Sequence, residues 1–337
     1  MLSNPGDHRS HRKQPCFSIQ LSKSPRSVSI MENKTLFIVN PIAGRGAGKL
    51  ALPEIDLMAS KLSINYEIIS TQHPGHAVQL AEQAAISDTE TVVAVGGDGT
   101  SNEVLNGLMQ AWKQGHKNTQ LAVIGIGRGN DFAYAFGIQP GLEAGFSVLE
   151  RRSPRYIDVG RIIGGNFPQG RYFGNGVGIG FDAVVGFEAL KLTHLHGFLN
   201  YIVAALKTIF LYFNAPKVLI EFDEKHLTQP SLMVSIMNGR RMGGGFLMAP
   251  KALTDDGHLD LCIAGQLSRF GILLMIPRFM KGTQDSQPQI KTGQAKKIHI
   301  LALQGSLPAH ADGETICTAG SELSIEIIEK PLRILHG

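Results

Sequence analysis

Gly96-Gly97-Asp98-Gly99-Thr100 sets three glycines around one aspartate, directly after the apolar run Thr91-Val92-Val93-Ala94-Val95. Glycine lets the backbone turn tightly and bring its N–H groups up to a ligand with no β-carbon in the way. Those groups, with the N-terminus of a following helix, make a site for phosphate. Asp98 has the wrong charge to touch a phosphate, but it could hold Mg²⁺ or a bridging water. Taken alone, a GGDG is as readily a plain turn with its aspartate in a left-handed conformation.

A second glycine loop, Asn40-Pro41-Ile42-Ala43-Gly44-Arg45-Gly46, follows the apolar run Leu36–Val39. It delivers further amides, and Arg45 or Lys49 could pair with phosphate. It is not a Walker A loop, because no G-x-x-x-x-G-K-[ST] occurs there. Near the other end, Asp312-Gly313-Glu314 separates two carboxylates by one flexible residue. In an extended segment they share a face, so one could deprotonate an attacking hydroxyl while the other orients it or holds a cation. By itself such a triplet is more often an exposed turn. The stretch from Ala249 to Asp260 holds three acids. There the carbonyls of Leu253 and His258 could flank the Asp256 carboxylate around a hard cation, with a solvated acidic turn as the equal alternative. His194 and His196 have no third ligand at metal spacing. No G-x-S-x-G elbow suggests hydrolase chemistry.

Regular elements must hold these loops in place. From Met31 the pattern alternates strand, glycine turn and helix, with helices expected over 46–61, 76–85 and 100–110. Thr100 and Glu103 have the spacing of a capping box at the start of the third helix. Alternation of this kind predicts a doubly wound, largely parallel sheet with its ligands at the carboxyl ends of the strands. After about Asp158 short β-rich stretches take over (156–163, 171–177, 217–222, 231–237, 258–264, 296–303 and 322–328). Helical pieces near 181–213 and 268–281 interrupt them, so a second domain on antiparallel sheets is expected, with a cleft between the halves. The expected boundaries are a tail over 1–30, a first domain over 31–158, a second over 159–328, and a segment 329–337 returning to the first.

The chain has 337 residues, 43% of them hydrophobic and 18% charged, enough to fill sizeable cores and too apolar for a disordered polyelectrolyte. Its net charge of +4 comes entirely from residues 1–30, with five basic residues and one acid. The neutral remainder gives no footprint for nucleic acid. The tail lacks the apolar region of a secretory signal and is expected to be a disordered arm, or to precede a true start at Met31. Three cysteines are too few for a disulfide framework, in keeping with a reducing cytosol. The most apolar stretch, Phe198 to Phe213, is short of the ~20 residues that a crossing requires, so no transmembrane segment is expected.

Taken in order, the motifs resemble the bacterial diacylglycerol kinase family, which also includes sphingosine and ceramide kinases. The matches are Asn40-Pro41-x-x-Gly44, Thr71 with Gly75-His76-Ala77, Gly96 through Glu103, Gly129-Asn130-Asp131-Phe132-Ala133, Gly180-Phe181-Asp182-Ala183, Gly243-Gly244-Gly245, Pro250 through Asp260, and Asp312-Gly313-Glu314. GGDGT alone also occurs in NAD kinases and phosphofructokinases; eight collinear motifs do not. The resemblance implies an α/β nucleotide domain joined to a C-terminal β-sandwich, with the active site in the cleft between them. It implies a Mg²⁺-dependent transfer of the ATP γ-phosphoryl group to diacylglycerol or a related long-chain alcohol. Asn40, Pro41, Ile42, Ala43, Gly44, Thr71, Gly97, Asp98, Gly99, Thr100, Ser101, Asn102, Glu103 and Arg128 would surround the nucleotide. Leu253, Asp256 and His258 would form a structural metal loop, and Asp312 and Glu314 a catalytic pair. Arg128 stands where the family has threonine; its guanidinium could pair with phosphate, or fill the pocket and abolish binding. Two alternatives therefore stay open, a soluble NAD-kinase-like phosphotransferase and an inactive nucleotide- or lipid-binding module. The helix from Leu199 to Phe213 (Ile202, Val203, Leu206, Ile209, Phe210, Phe213) is the candidate lipid wall, or an ordinary core helix. A cytoplasmic protein visiting the inner membrane surface is expected, and a homodimer is left open.

Overall fold

Strands β3 (Thr91–Gly96) and β4 (Gln120–Gly125) are buried along their whole length, as unbroken apolar runs require of central strands covered on both faces. β1 (Lys34–Val39) lies beside β3, and β2 (Asn65–Ser70) forms the edge, where its residues are partly exposed. All pair in parallel, in the order β2-β1-β3-β4. Helices α1 (Ala43–Lys61), α2 (His76–Ile86), α3 (Asp98–Lys113), α4 (Asp131–Ala135) and α5 (Leu142–Arg151) fill the connections. Phe37, Ile38, Ile55, Leu105, Met109, Ile124 and Phe132 are fully buried in this domain's core. The computed structural model describes residues 34–127, 129–192, 197–211 and 214–337. The basic tail, Arg128, His194, His196 and Phe213 lie outside the described residues.

The rest of the chain is an antiparallel β-sandwich. Strand β9 (Lys225–Met237) belongs to both of its sheets. Its first half pairs with β8 (Lys217–Phe222), and its second half with β7 (Gly176–Gly180) and β10 (Leu259–Gly265). One sheet continues from β8 through β12 (Lys297–Gln304) to β15 (Glu322–Leu335), β5 (Pro154–Gly164) and β6 (Phe167–Phe173). The other adds β13 (Leu307–Ala311), β14 (Glu314–Gly320) and β11 (Ile290–Ala295). Between them pack Ile162, Phe173, Ile220, Ile236, Leu261, Ile300 and Ile325. Helices α6 (Phe181–Lys191), α7 (Gly197–Leu211) and α8 (Arg269–Lys281) cover the β7–β9–β10 sheet through a methionine-rich layer of Met233, Met237, Met248 and Met275. The expected doubly wound domain with its antiparallel partner is therefore present.

Strand β15 ties the two domains together. It runs antiparallel to β12 and β5, is interrupted between Ile328 and Leu332, and then lies parallel to β4 through Arg333 and Ile334. At the interruption Lys330 is left-handed (φ 49°) and its N–H donates to Asp158 Oδ1 at 2.8 Å. Asp158 Oδ2 accepts the N–H of Gly257 at 2.7 Å, so one buried carboxylate pins the loop after β9 to the junction.

Several local expectations change. Helix α3 begins at Asp98 with Gly97 as its cap residue, so Thr100 lies inside the first turn and caps nothing. Glu103 reaches instead to the preceding helix, accepting the N–H of Gly75 at 2.8 Å and of Ala77 at 3.2 Å at the start of α2. The 181–213 stretch forms two helices, and β11, β13 and β14 were not anticipated. Among the described residues no helix is long and apolar enough to cross a membrane.

Candidate active site in the interdomain cleft

The glycine loops after β1, β3 and β4 meet at the carboxyl edge of the parallel sheet. A β-carbon on Gly127 would stand 2.4 Å from Gly97 Cα, so two backbones touch where side chains normally keep them apart. In the first loop Asn40 Oδ1 accepts the Ile42 N–H at 3.1 Å, and Asn40 Nδ2 donates to Thr100 Oγ1 at 3.1 Å. Pro41 and Ala43 continue the turn, Gly44 and Arg45 are left-handed, and Ile42 is exposed. Thr71 sits beside this loop, its N–H donating to Val39 O at 2.8 Å. These loops offer the backbone amides that a phosphate chain needs.

Within 97–103, Gly97, Asp98 and Gly99 are the residues near the cleft surface. Thr100, Ser101 and Asn102 are buried. Asn102 Nδ2 donates to Tyr172 O (2.9 Å) and Asp312 Oδ2 (3.2 Å), and its Oδ1 accepts from Arg171 Nε (2.9 Å). Asn102 thus welds the first domain to the second.

Asp312 and Gly313, both at positive φ (46° and 83°), form the two-residue turn joining β13 to β14, a geometry to which Asp-Gly is suited. The segment is therefore a turn and not extended; its tip Gly313 is exposed, while Asp312 is buried and Glu314 half-buried. Its Oδ1 accepts the N–H groups of Asn175 (3.0 Å) and Gly176 (2.9 Å), and its Oδ2 those of Gly174 (2.7 Å) and Asn102 Nδ2 (3.2 Å). All four lone-pair sites of the carboxylate are engaged. Burial still raises its pKa, against the pull of those donors.

Glu314 differs. Its pKa is raised by burial and by Glu103 and Asp312, with Arg171 opposing, and it has no hydrogen-bond donor among the described residues. Its Oε1 lies 2.8 Å from where a β-carbon on Gly99 would stand. Asp98 Oδ1 accepts the Phe132 N–H at 2.9 Å. Burial, then Asp131, then Asp312 push the Asp98 pKa up to about 8. Asp131 is itself raised by burial and answered by Arg241, whose Nε lies 2.7 Å from Asp131 Oδ1; the Gly244 N–H takes the other oxygen at 2.8 Å. Asp98 and Asp131 thus share one guanidinium while Asp312 raises the pKa of both, an imbalance that suits a hard divalent cation at Asp98. Among the described residues no three His, Cys, Asp or Glu side chains converge closely enough to hold a metal alone. Phosphate oxygens would complete such a site, as is usual for Mg²⁺.

These groups open into a cavity of about 340 Å³. Asp98, Gly99, Asp131 and Phe132 line it from the first domain, and Asp312 and Glu314 from the second. Its far wall is apolar, with Val185, Phe187, Leu190, Met242 and Phe246. There two polar side chains interrupt that wall, and sequence reasoning assigned a role to neither. Asp182, raised by burial against His310 and Ser235, accepts from Ser235 Oγ at 3.0 Å. His310 is buried, with no partner for Nδ1 among the described residues. Asp182 lies in a recognised motif and could have been found there; Ser235 and His310 have no local signal. Helix α7 does contribute to the walls, but through Asn200 and Tyr201 here and Ala205 in a neighbouring apolar cavity, and not through the aliphatic residues expected.

The loop of Leu253, Asp256 and His258 lies away from this cavity. Asp256 Oδ1 accepts the His258 N–H at 3.0 Å, and His258 Nδ1 faces Asp256 O. Burial, with a contribution from Asp256, raises the pKa of Asp158 and of Asp260.

Two family models adjoin along the chain. Residues 34–162 match the diacylglycerol kinase catalytic domain, and residues 175–336 match the YegS C-terminal NAD kinase beta sandwich-like domain. A diacylglycerol kinase of Mycobacterium tuberculosis (strain H37Rv) is 27% identical over 90% of this chain and 96% of its own length. One from Staphylococcus carnosus (strain TM300) is 26% identical over 84% and 89%. A crystal structure of a diacylglycerol kinase from Bacillus anthracis (Sterne) superposes with a TM-score of 0.69 at 22% identity, covering 90% of this chain and 97% of that one, which speaks to the fold. At family level the chain matches the diacylglycerol kinase catalytic domain and YegS-like family, consistently in both of its domains.

Proposed function

We propose that this protein is a lipid kinase that transfers the γ-phosphoryl group of ATP to the hydroxyl of diacylglycerol or a related long-chain alcohol, giving a phosphatidic-acid-type product. The observation that carries this reading is one cavity with unbalanced carboxylates at its glycine-loop end and an apolar wall opposite. A soluble acceptor would not require that wall, and a hydrolase would not require the loops.

Bound Mg-ATP supplies the phosphoryl group and the positive charge that offsets its transfer. The chain's part is positioning and proton handling. Backbone amides of the Asn40–Gly44 and Gly97–Gly99 loops, beside Thr71, would cradle the phosphates, and Asp98 would hold the cation. Glu314 takes the proton of the acceptor hydroxyl, its raised pKa making it a stronger base than an ordinary carboxylate. Asp312 is a positioning residue, since its saturated oxygens fix the hairpin on which Glu314 stands. Asp182 and His310 offer an acceptor and a donor to the oxygens of the lipid head. The carbonyls of Leu253 and His258 and the Asp256 carboxylate would hold a structural cation, offsetting the charge shared with Asp158 and Asp260.

The test is transfer of labelled γ-phosphate from ATP to diacylglycerol in mixed micelles, comparing wild type with Glu314→Gln and Asp98→Ala. Labelled phosphatidic acid from wild type, lost in both variants, is expected. No product across a panel of lipid alcohols, with ATP still bound by calorimetry, would refute the kinase reading and leave a nucleotide-binding module.

A further inference from the structure

Helix α8 is apolar on both faces. Ile272, Met275, Ile276 and Phe279 turn inward and wall an apolar cavity of about 70 Å³ that shares Asp182, Val185 and Phe246 with the larger one. Its outward face carries Phe270 (68% exposed), Leu273, Leu274, Pro277 and Met280, at the i, i+3, i+4, i+7 spacing of a helical stripe. The exposed end of α7 adjoins it, where the Arg269 guanidinium lies 5.8 Å from the ring of Phe210, itself 73% exposed. An apolar surface of this kind on a folded chain marks an interaction site.

Charge identifies the occupant. Between Asp260 and Asp285 the sequence has no acidic residue, yet α8 carries Arg269, Arg278 and Lys281; between Glu188 and Glu221 there is again none, and α7 carries Lys207. Lys207 is answered by Glu188 at 2.6 Å, so the excess positive charge is that of Arg269, Arg278 and Lys281 on α8; exposed apolar side chains beside those cations match a surface with an apolar interior and an anionic boundary.

We propose that the outward face of α8, with Leu206 and Phe210 of α7, docks on an anionic phospholipid surface, placing the apolar cavity beneath α8 against the bilayer. This deepens the lipid-kinase reading, because a substrate that stays in the membrane must reach the cavity from the side that touches it.

The experiment measures co-sedimentation of the full chain, without nucleotide or acceptor lipid, with vesicles of phosphatidylcholine or of phosphatidylcholine containing phosphatidylglycerol. Wild type should bind the anionic vesicles and release at high salt. Leu273→Glu with Leu274→Glu should weaken binding by about tenfold or more. Arg269→Ser with Arg278→Ser and Lys281→Ser should flatten the salt dependence. Lys297→Glu, on the sandwich sheet, is the control and should bind as wild type, and unchanged circular dichroism shows each variant folded. Equal binding to neutral and anionic vesicles, or full binding by the glutamate variant, overturns the proposal. So does a wild-type dimer that the glutamate variant dissociates, which would assign this face to a second copy. Because no catalysis is read, vesicle binding stands or falls apart from the kinase reading; phosphorylation of a short-chain, water-soluble diacylglycerol should persist in the glutamate variant.

Discussion

Glu314 reaches across the cleft to lie over Gly99, its Oε1 occupying the space a side chain at that position would need. Gly99→Ala should push the carboxylate aside without disturbing the fold, because the obstacle is the end of a flexible side chain. The transfer rate is expected to fall by about 10²-fold, while the urea midpoint shifts by less than about 0.5 kcal/mol equivalent. Loss of stability in parallel with rate would refute this account of Gly99.

The two carboxylates of the hairpin should separate in their effects. Asp312→Asn sets an amide against backbone N–H donors that need acceptors, and each buried group left unpaired costs about 1–3 kcal/mol. Denaturant unfolding should show that loss. Glu314→Gln should unfold like wild type yet transfer phosphate orders of magnitude more slowly. Equal destabilisation of the two variants would remove the distinction between positioning and proton transfer.

Stability should also respond to pH through Asp98. Its folded pKa of about 8 lies above the ordinary 3.8. Between those values the folded state retains a proton that the unfolded state has released, so this contribution is complete below about pH 4 and is lost as pH rises toward 8. Asp98→Asn should flatten that decline and melt higher than wild type at pH 8. Mg²⁺ should raise the wild-type melting temperature at pH 8 more than that of the variant. A steeper decline in Asp98→Asn would contradict the assigned direction.

Arg241 lies over the Tyr134 ring at 3.8 Å while pairing with Asp131. Removing it leaves a buried carboxylate beside Asp98 with no cation of its own. Arg241→Ala is expected to cost about 3 kcal/mol, and Arg241→Lys to recover only part of it, because an ammonium lacks the planar fork. Complete rescue by lysine in thermal melts would show that charge alone matters.

The parallel strands were legible because Val92–Val95 and Leu121–Ile124 are unbroken apolar runs between glycine turns, and a buried parallel sheet admits little else. Strand β13, Leu-Pro-Ala-His-Ala, carries no alternation, because it is buried on both sides and closed by a turn that the sequence presents as exposed. The Asp-Gly signal was visible, but its burial depends on amides of Gly174, Asn175 and Gly176 more than a hundred residues away. Glu103 shows the same limit, since local spacing suggests its own helix while tertiary packing gives it the end of α2. The carboxylate cluster was half visible. Asp98 and Asp312 stood out by motif, whereas Asp131 was noticed only as part of a pattern, and Arg241 emerged only when the fold brought it over Tyr134.

The interruption in β15 bears on how the cleft can move. A single strand, hydrogen-bonded into both domains, leaves no swivelling linker between them. Opening or closing the jaws must twist a continuous sheet, and the compliant point is the left-handed Lys330, clamped by Asp158. The aperture is thus set by torsional stiffness, and scattering profiles with and without nucleotide should be nearly superimposable.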